Sequence, residues 1–194
     1  DRVCDMLSAG GAAAFLVGER GGFATLGALV RDGREIYDVW RLGTEGEPRY
    51  RLEVLFDGYA KGAKGALAKL EKTTGRPTAK YARAGVSQPH PQTIRGLGKL
   101  GIADAALEGT TFVADIGNLG AASLGLSLAL ALDGARKGQA VLALGYGAGE
   151  AIAQEITLEA APPKAAIAEM LADTEQIALG TYYRWTRGRQ QQPH

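Results

Sequence analysis

The side chains with the greatest chemical potential lie in three short stretches of this 194-residue chain. Ser87-Gln88-Pro89-His90-Pro91 is a polar, turn-like insert expected between a strand and a helix, at the carboxyl end of the strand. Sites in α/β sheets gather there. His90 reads either as a surface residue or as an acid/base group. Gly117-Asn118-Leu119-Gly120-Ala121-Ala122-Ser123 opens a long apolar helix. Asn118 at its head can act as an N-cap, or can hold a thioester carbonyl with its amide. Gly145-Tyr146-Gly147-Ala148-Gly149 sits between two expected strands. Its glycines make either a plain tight hairpin or a turn that aims backbone N–H groups at an acyl oxygen, because a developing oxyanion needs fixed donors. The stretch lacks the strand–turn–helix setting of a dinucleotide fingerprint, which argues against a nicotinamide site.

Other reactive groups are few. Cys4 is the single cysteine, so neither an internal disulfide framework nor a Cys-cluster zinc site is available. With Val3 and Met6 beside it, Cys4 reads as a packed thiol, since nothing near it would depress its pKa. His90 and His194 are too few for a His-based metal centre unless carboxylates complete it, and no metal is expected. No Ser/His/Asp order, carboxylate pair or phosphate loop stands out. Charge is balanced, 22 Lys+Arg against 21 Asp+Glu for a net +1, which gives no general pull toward nucleic acid or anionic membrane. The tail Tyr182-Tyr183-Arg184-Trp185-Thr186-Arg187 mixes aromatics and cations as single-strand binders do. With a neutral body behind it, docking onto its own domain or onto a partner is the preferred reading.

The elements that must position these groups follow from pattern. The length is a soft prior for one domain. The 28 glycines, many alanines and only 7% aromatics favour close helix–strand packing in a layered α/β protein. Ala12 to Val17 reads as a buried strand bounded by glycines, and Phe23 to Val30 and Ile36 to Leu42 as two strands joined by Arg31-Asp32-Gly33-Arg34. Gly43 to Pro48 is a polar loop. From Leu52 to Lys72, Leu55, Tyr59, Ala63, Leu67 and Leu70 recur at helical spacing, with Lys61, Lys64, Lys69 and Lys72 on the opposite, solvated face. Gly75 and Pro77 end that helix.

Ala79 to Val86 is expected as a strand, Thr93 to Leu100 as a short helix, and Ala103 to Thr110 as a surface turn. The helix after Asn118 runs to about Arg136 and is apolar on nearly all sides, so it must be covered on both faces. Ala140 to Leu144 and Ala151 to Leu158 are strands. An amphipathic helix covers Lys164 to Leu179, and the tail from Thr181 to His194 is expected to fray. The order fits a mixed α/β sheet with helices on both faces and one buried helix. No apolar run reaches the roughly 18–20 residues of a membrane span. Asp1-Arg2-Val3-Cys4-Asp5 does not resemble a signal peptide. The default compartment is the cytoplasm, and the absent initiator Met is expected of a mature, processed or truncated chain.

Together, Ser8 to Val17, Asp38-Val39-Trp40-Arg41 with Gly46-Glu47-Pro48-Arg49-Tyr50, Gly117 to Ser123, and Leu144 to Gly149 resemble, in that order, the carboxyl-terminal half of thiolase-fold condensing enzymes. The resemblance extends to about Leu158. It is closest to the hydroxymethylglutaryl-CoA synthases of archaea and bacteria, with ketoacyl-acyl-carrier-protein synthase III as a near relative. It implies a thiolase-like layered fold, in which residues 1–18 end the amino-terminal half, 19–160 form the carboxyl-terminal half, and 161–194 are a helix and connector. In some family members that connector leads to a zinc-ribbon and OB-fold module, a possible partner here. It also implies acyl transfer from CoA or carrier thioesters to a cysteine of the amino-terminal half, then carbon–carbon bond formation, with no further cofactor.

That half, as part of the protein or as a separate subunit, is an expected partner, as is a second copy in a homodimer; nucleic acid and membrane are not. Residue by residue, Asn118 matches the asparagine that holds the second thioester carbonyl. The turn Gly147-Ala148-Gly149 matches the oxyanion loop, with Ala148 as its N–H donor. Where the family reads His-Gln-Pro-Asn this chain reads Ser87-Gln88-Pro89-His90, so Ser87 takes the active-site histidine position. A serine cannot supply a histidine's acid/base strength. His90 lies three residues on, across Pro89, and is expected to point elsewhere. Of the three outcomes the resemblance leaves (His90 substitutes, the chemistry is altered, or condensation is lost), the last two are preferred jointly. A catalytically degenerate scaffold that binds acyl-CoA or a partner subunit is the alternative.

Overall fold

The computed structural model describes residues 8–40, 43, 49–163 and 166–190. Cys4, Arg41, Lys164, His194 and residues 44–48 of the expected polar loop lie outside the described residues. One four-stranded sheet organises the chain. Its strands are β1 (Ala24–Gly33), β4 (Arg83–Val86), β5 (Ala140–Gly147) and β6 (Glu150–Leu158), in the order β1-β6-β5-β4. Only the β4–β5 pair is parallel, so the sheet is mixed. A two-stranded ribbon, β2 (Val39–Trp40) with β3 (Arg49–Tyr50), stands apart. The remaining elements are helices: α1 (Leu52–Thr74), α2 (Pro91–Arg95), α3 (Asp104–Leu107), α4 (Ala122–Asp133), α5 (Ile167–Ala172) and α6 (Leu179–Gln190).

α1 forms as the spacing requires. Leu55, Tyr59, Ala63, Leu67 and Leu70 are all buried, and the helix stops at Gly75, whose N–H bonds back to the Glu71 carbonyl. It covers one face of the sheet, where Ala84, Val86, Leu142, Leu144, Ala151 and Ala153 meet it. The lysine face does more than meet solvent. Lys69 Nζ donates to the Arg31 carbonyl and to Asp32 Oδ1, both at 2.8 Å, and clamps the helix to β1.

The other face belongs to α4, packed on β4 and β5 with Val141, Ala143, Ala131 and Leu132 between them. Its two serines are one turn apart and point at the edge strand. Ser127 Oγ accepts the Val86 N–H and Ser123 Oγ accepts the Gln88 N–H, each at 2.9 Å. β4 thus meets β5 along one side, while serines satisfy amides that its exposed edge would leave unpaired. The interruptions in the apolar run are hydrogen-bonding positions.

Several expectations are corrected. Ala12 to Val17 makes no strand pairing. Only Ser8 bridges, to Asn118, and Phe15, Leu16 and Val17 are exposed, because no neighbouring strand offers them a ladder. Of the strand expected over Ile36 to Leu42, residues 41–42 lie outside the described residues, and residues 36–40 do not pair with β1. Two of its residues pair with β3, and β1 runs through Asp32 and Gly33 to pair with β6 instead. Strand β4 begins at Arg83, after a short 3-10 turn at Thr78–Lys80. Ala103 to Thr110 contains the turn of helix α3, and Ala106, Leu107 and Thr110 are buried beneath it. The helix opened by Asn118 spans only Ala122–Asp133 and breaks at Gly134. Of the helix expected over Lys164 to Leu179, the described residues form a helix over Ile167–Ala172, and the tail that was expected to fray is helical over Leu179–Gln190. Among the described residues no helix is long and apolar enough to cross a membrane.

Candidate active site

At the carboxyl ends of the parallel strands β4 and β5, an open cleft of about 530 Å³ brings the motifs together. Ser87 and Pro89 come from the turn after β4, and Asn118 and Ala121 from the entry to α4. Gly147 and Ala148 come from the β5–β6 turn, and Asp38 from the approach to β2. The volume suits a small-molecule ligand. Among the described residues, no group of three or more His, Cys, Asp or Glu side chains is placed to hold a metal.

The β5–β6 turn has only two loop residues, since Gly147 pairs with Glu150. Ala148 and Gly149 have φ of 48° and 84°, the backbone of a type I′ hairpin. An alanine in that region costs on the order of 1 kcal/mol, so the turn is held there by its surroundings. Gly149 is part of the hold. Its carbonyl accepts the Arg34 N–H at 3.0 Å, and a Cβ on it would strike the Arg34 carbonyl oxygen. Gly149 is buried behind the turn and Ala148 is exposed at its tip.

Asn118 is not the N-cap of α4. Its Oδ1 accepts the Gly120 N–H at 2.8 Å, a side-chain turn just before the helix. With Oδ1 accepting the Gly120 N–H, the Nδ2 donor pair has the polarity a thioester carbonyl requires. The Asn118 carbonyl accepts from Ala9 at 2.8 Å, which ties residues 8 and 9 to the cleft.

Ser87 lines the cleft, and its Oγ accepts the Tyr146 N–H at 3.1 Å. The hydroxyl therefore buttresses the base of the β5–β6 turn and retains one proton to donate. His90 does not join it. The ring sits at the head of α2, where Nδ1 accepts the Gln92 N–H at 3.1 Å and Phe56 packs 4.9 Å away. Burial, followed by the charge of Arg95, lowers its pKa from the ordinary 6.5. The sign follows: the folded state binds the proton less well than the unfolded chain, so stability falls as pH drops through 6.5 toward the lowered value. His90→Asn keeps the cap without the titration. Melting temperatures of this variant and the wild type are expected to diverge between pH 7 and 5, with the wild type losing more.

Two residues of the site, Gln88 and Asp38, carried no functional assignment from sequence. Gln88 is fully buried. Its Nε2 donates to the Thr110 carbonyl at 2.8 Å, and its Oε1 accepts from Phe112 and Val113 at 2.9 and 3.1 Å. Asp38 is 1% exposed, and its Oδ2 accepts the Tyr146 hydroxyl at 2.8 Å. Burial and this carboxyl push the Tyr146 pKa well above the usual phenol value. Polar residues between apolar ones, as in Tyr37-Asp38-Val39, were the only local signal for Asp38, and they do not separate a buried carboxyl from a surface one.

No family model matches the sequence, and no curated protein is found to match it. Solved structures do match. An HMG-CoA synthase complexed with CoA superposes with a TM-score of 0.69 at 18% identity, covering 83% of this chain and 47% of that one. MvaS in complex with 3-hydroxy-3-methylglutaryl coenzyme A gives 0.70 at 20%, covering 88% and 51%. The fold is that of the thiolase-like condensing enzymes. Pseudomonas aeruginosa FabH, a 3-oxoacyl-(acyl carrier protein) synthase III, matches at 0.58 and 18% over 70% of this chain and 44% of its own. This chain spans about half the length of each thiolase-like structure.

Proposed function

We propose that this chain is the carboxyl-terminal portion of an acyl-CoA condensing enzyme of the hydroxymethylglutaryl-CoA synthase type. Its cleft would hold a CoA thioester whose acyl group passes to a cysteine of the amino-terminal half. The reading rests on one observation: Asn118 and the left-handed turn at Ala148, from separate elements, line the same cleft. In this reading the Asn118 amide and the Ala148 N–H polarise the thioester carbonyl. The cysteine sulfur then forms the new C–S bond as the CoA thiol leaves with the proton. Residues 8–18 run along α4 as the end of the amino-terminal half, and their exposed Phe15, Leu16 and Val17 are the surface that half covers.

A second reading, a scaffold that binds acyl-CoA without condensation, has its own support. Ser87 Oγ is occupied by the Tyr146 N–H, and His90 is committed to a helix cap. Neither stands ready as a base. The test uses the longest natural form of the protein, incubated with acetyl-CoA, denatured and weighed intact. One added acetyl group on a cysteine of the amino-terminal half supports the enzyme, and Asn118→Ala is then expected to slow its transfer at least tenfold, about 1.4 kcal/mol. CoA binding with no adduct favours the scaffold, and an unchanged rate in Asn118→Ala removes that residue from the site. Ser87→His separates the readings again: a gain in condensation marks a weakened enzyme.

A further inference from the structure

Asp38 is buried in the cleft wall with half of its carboxyl unused. Oδ2 takes the Tyr146 hydroxyl, while Oδ1 is buried without a hydrogen-bond partner among the described residues. Such an atom bears its full desolvation cost, and native structures almost always pair it. The carboxyl cannot swing away to find water. The Asp38 carbonyl is bound by the Arg51 N–H at 3.0 Å, and the Tyr146 ring that holds Oδ2 is packed 5.2 Å from Tyr59.

We propose that Asp38 Oδ1 selects the acyl group: it accepts a hydrogen bond from a hydroxyl on the acyl chain, so the cleft prefers uncharged hydroxyacyl thioesters to their unsubstituted counterparts. This rests on the acyl-thioester reading above. A carboxyl oxygen beside a bound phenol calls for an O–H or N–H donor. Depth distinguishes the acyl chain from the amides of the pantetheine arm. Ala148 is exposed at the rim and Asn118 half-buried, whereas Asp38 is 1% exposed. A thioester held at the rim sends its arm outward to solvent and its acyl chain inward. The charged side chains among the described lining residues, Asp38 and Glu150, are both acidic, so an acyl carboxylate is repelled where a neutral hydroxyl is not.

The experiment compares 3-hydroxybutyryl-CoA with butyryl-CoA by calorimetric titration of the longest natural form of the protein. The hydroxylated thioester is expected to bind about tenfold more tightly. Asp38→Leu is expected to bring that ratio to one. Asp38→Asn retains a preference, because the amide oxygen still accepts while its nitrogen faces Tyr146. Equal affinities in the wild type, or a preference that survives in a folded Asp38→Leu, overturn the proposal and leave the acyl-thioester reading standing. Equal affinities are also what a contact to the pantetheine amide would give. Failure of both thioesters to bind overturns that reading and this one together. The wild-type comparison decides the matter even where Asp38→Leu does not fold.

Discussion

Replacing Gln88 by leucine is expected to cost about 3–5 kcal/mol, although the two side chains have similar volumes. The leucine would leave the Phe112 and Val113 N–H groups buried with nothing to accept them. The Thr110 carbonyl would keep its bond from Ser127 Oγ, so the loss falls on the two amides. Denaturant unfolding measures the total, and hydrogen exchange at Phe112 and Val113 locates it. Slow exchange at both amides in the variant, with an unchanged midpoint, would show that the side chain is not the latch described here. The consequence reaches the cleft. Gln88 follows Ser87 and its own N–H is held by Ser123 at the head of α4, so weakening it loosens the turn after β4 and the helix that carries Asn118.

Gly85→Ala is the second large effect. A Cβ at this central residue of β4 would fall 2.6 Å from the Leu128 amide nitrogen and closer still to its Cα. The obstacle is helix backbone, which cannot rotate aside, so α4 must lift off the sheet. Overpacking of this kind costs about 3 kcal/mol. For a chain of this size, that corresponds to a fall in melting temperature of roughly 6–12 °C. A scan that places Gly85→Ala within a degree of the wild type would refute this close packing. If the variant folds, lifting α4 also moves Ser123 and Ser127 away from β4, and with them the serine bonds to the Gln88 and Val86 amides. On the proposed reading, acyl-CoA binding should therefore fall further than the stability loss alone explains.

The long amphipathic helix was legible because its spacing is strong and its stop is local. Five apolar residues from Leu55 to Leu70 mark one face, and Gly75 ends it within the next turn. The strands expected at 140–144 and 151–158 were legible from apolar runs flanking glycines, but Gly145, Tyr146 and Gly147, expected in the turn, pair as strand and leave a two-residue turn. The three motif stretches were also rightly placed at the ends of those elements, and the structure brings Ser87, Asn118 and Ala148 to one cleft. His90, three residues on from Ser87 across Pro89, was expected to point elsewhere, and its ring caps α2 instead of joining the cleft. Its direction depends on the Gln92 N–H and the Phe56 ring, one of them supplied by a helix more than thirty residues away.

The amino-acid sequence alone determined the periodicities and the turn chemistry, and hence the layered α/β class, while its motifs in their order carried the resemblance to thiolase-fold enzymes. These are local quantities, set by residue type and spacing along the chain. Tertiary structure decided everything that required a partner. It decided which strand β1 pairs with, and that Ser123 and Ser127 serve the edge of β4 rather than merely interrupt an apolar helix. It also decided that Asp38 is buried against Tyr146 with one oxygen unused. A hydrogen bond between residues 108 positions apart leaves no mark in the composition around either one. Only the closure of the sheet brings the two into contact.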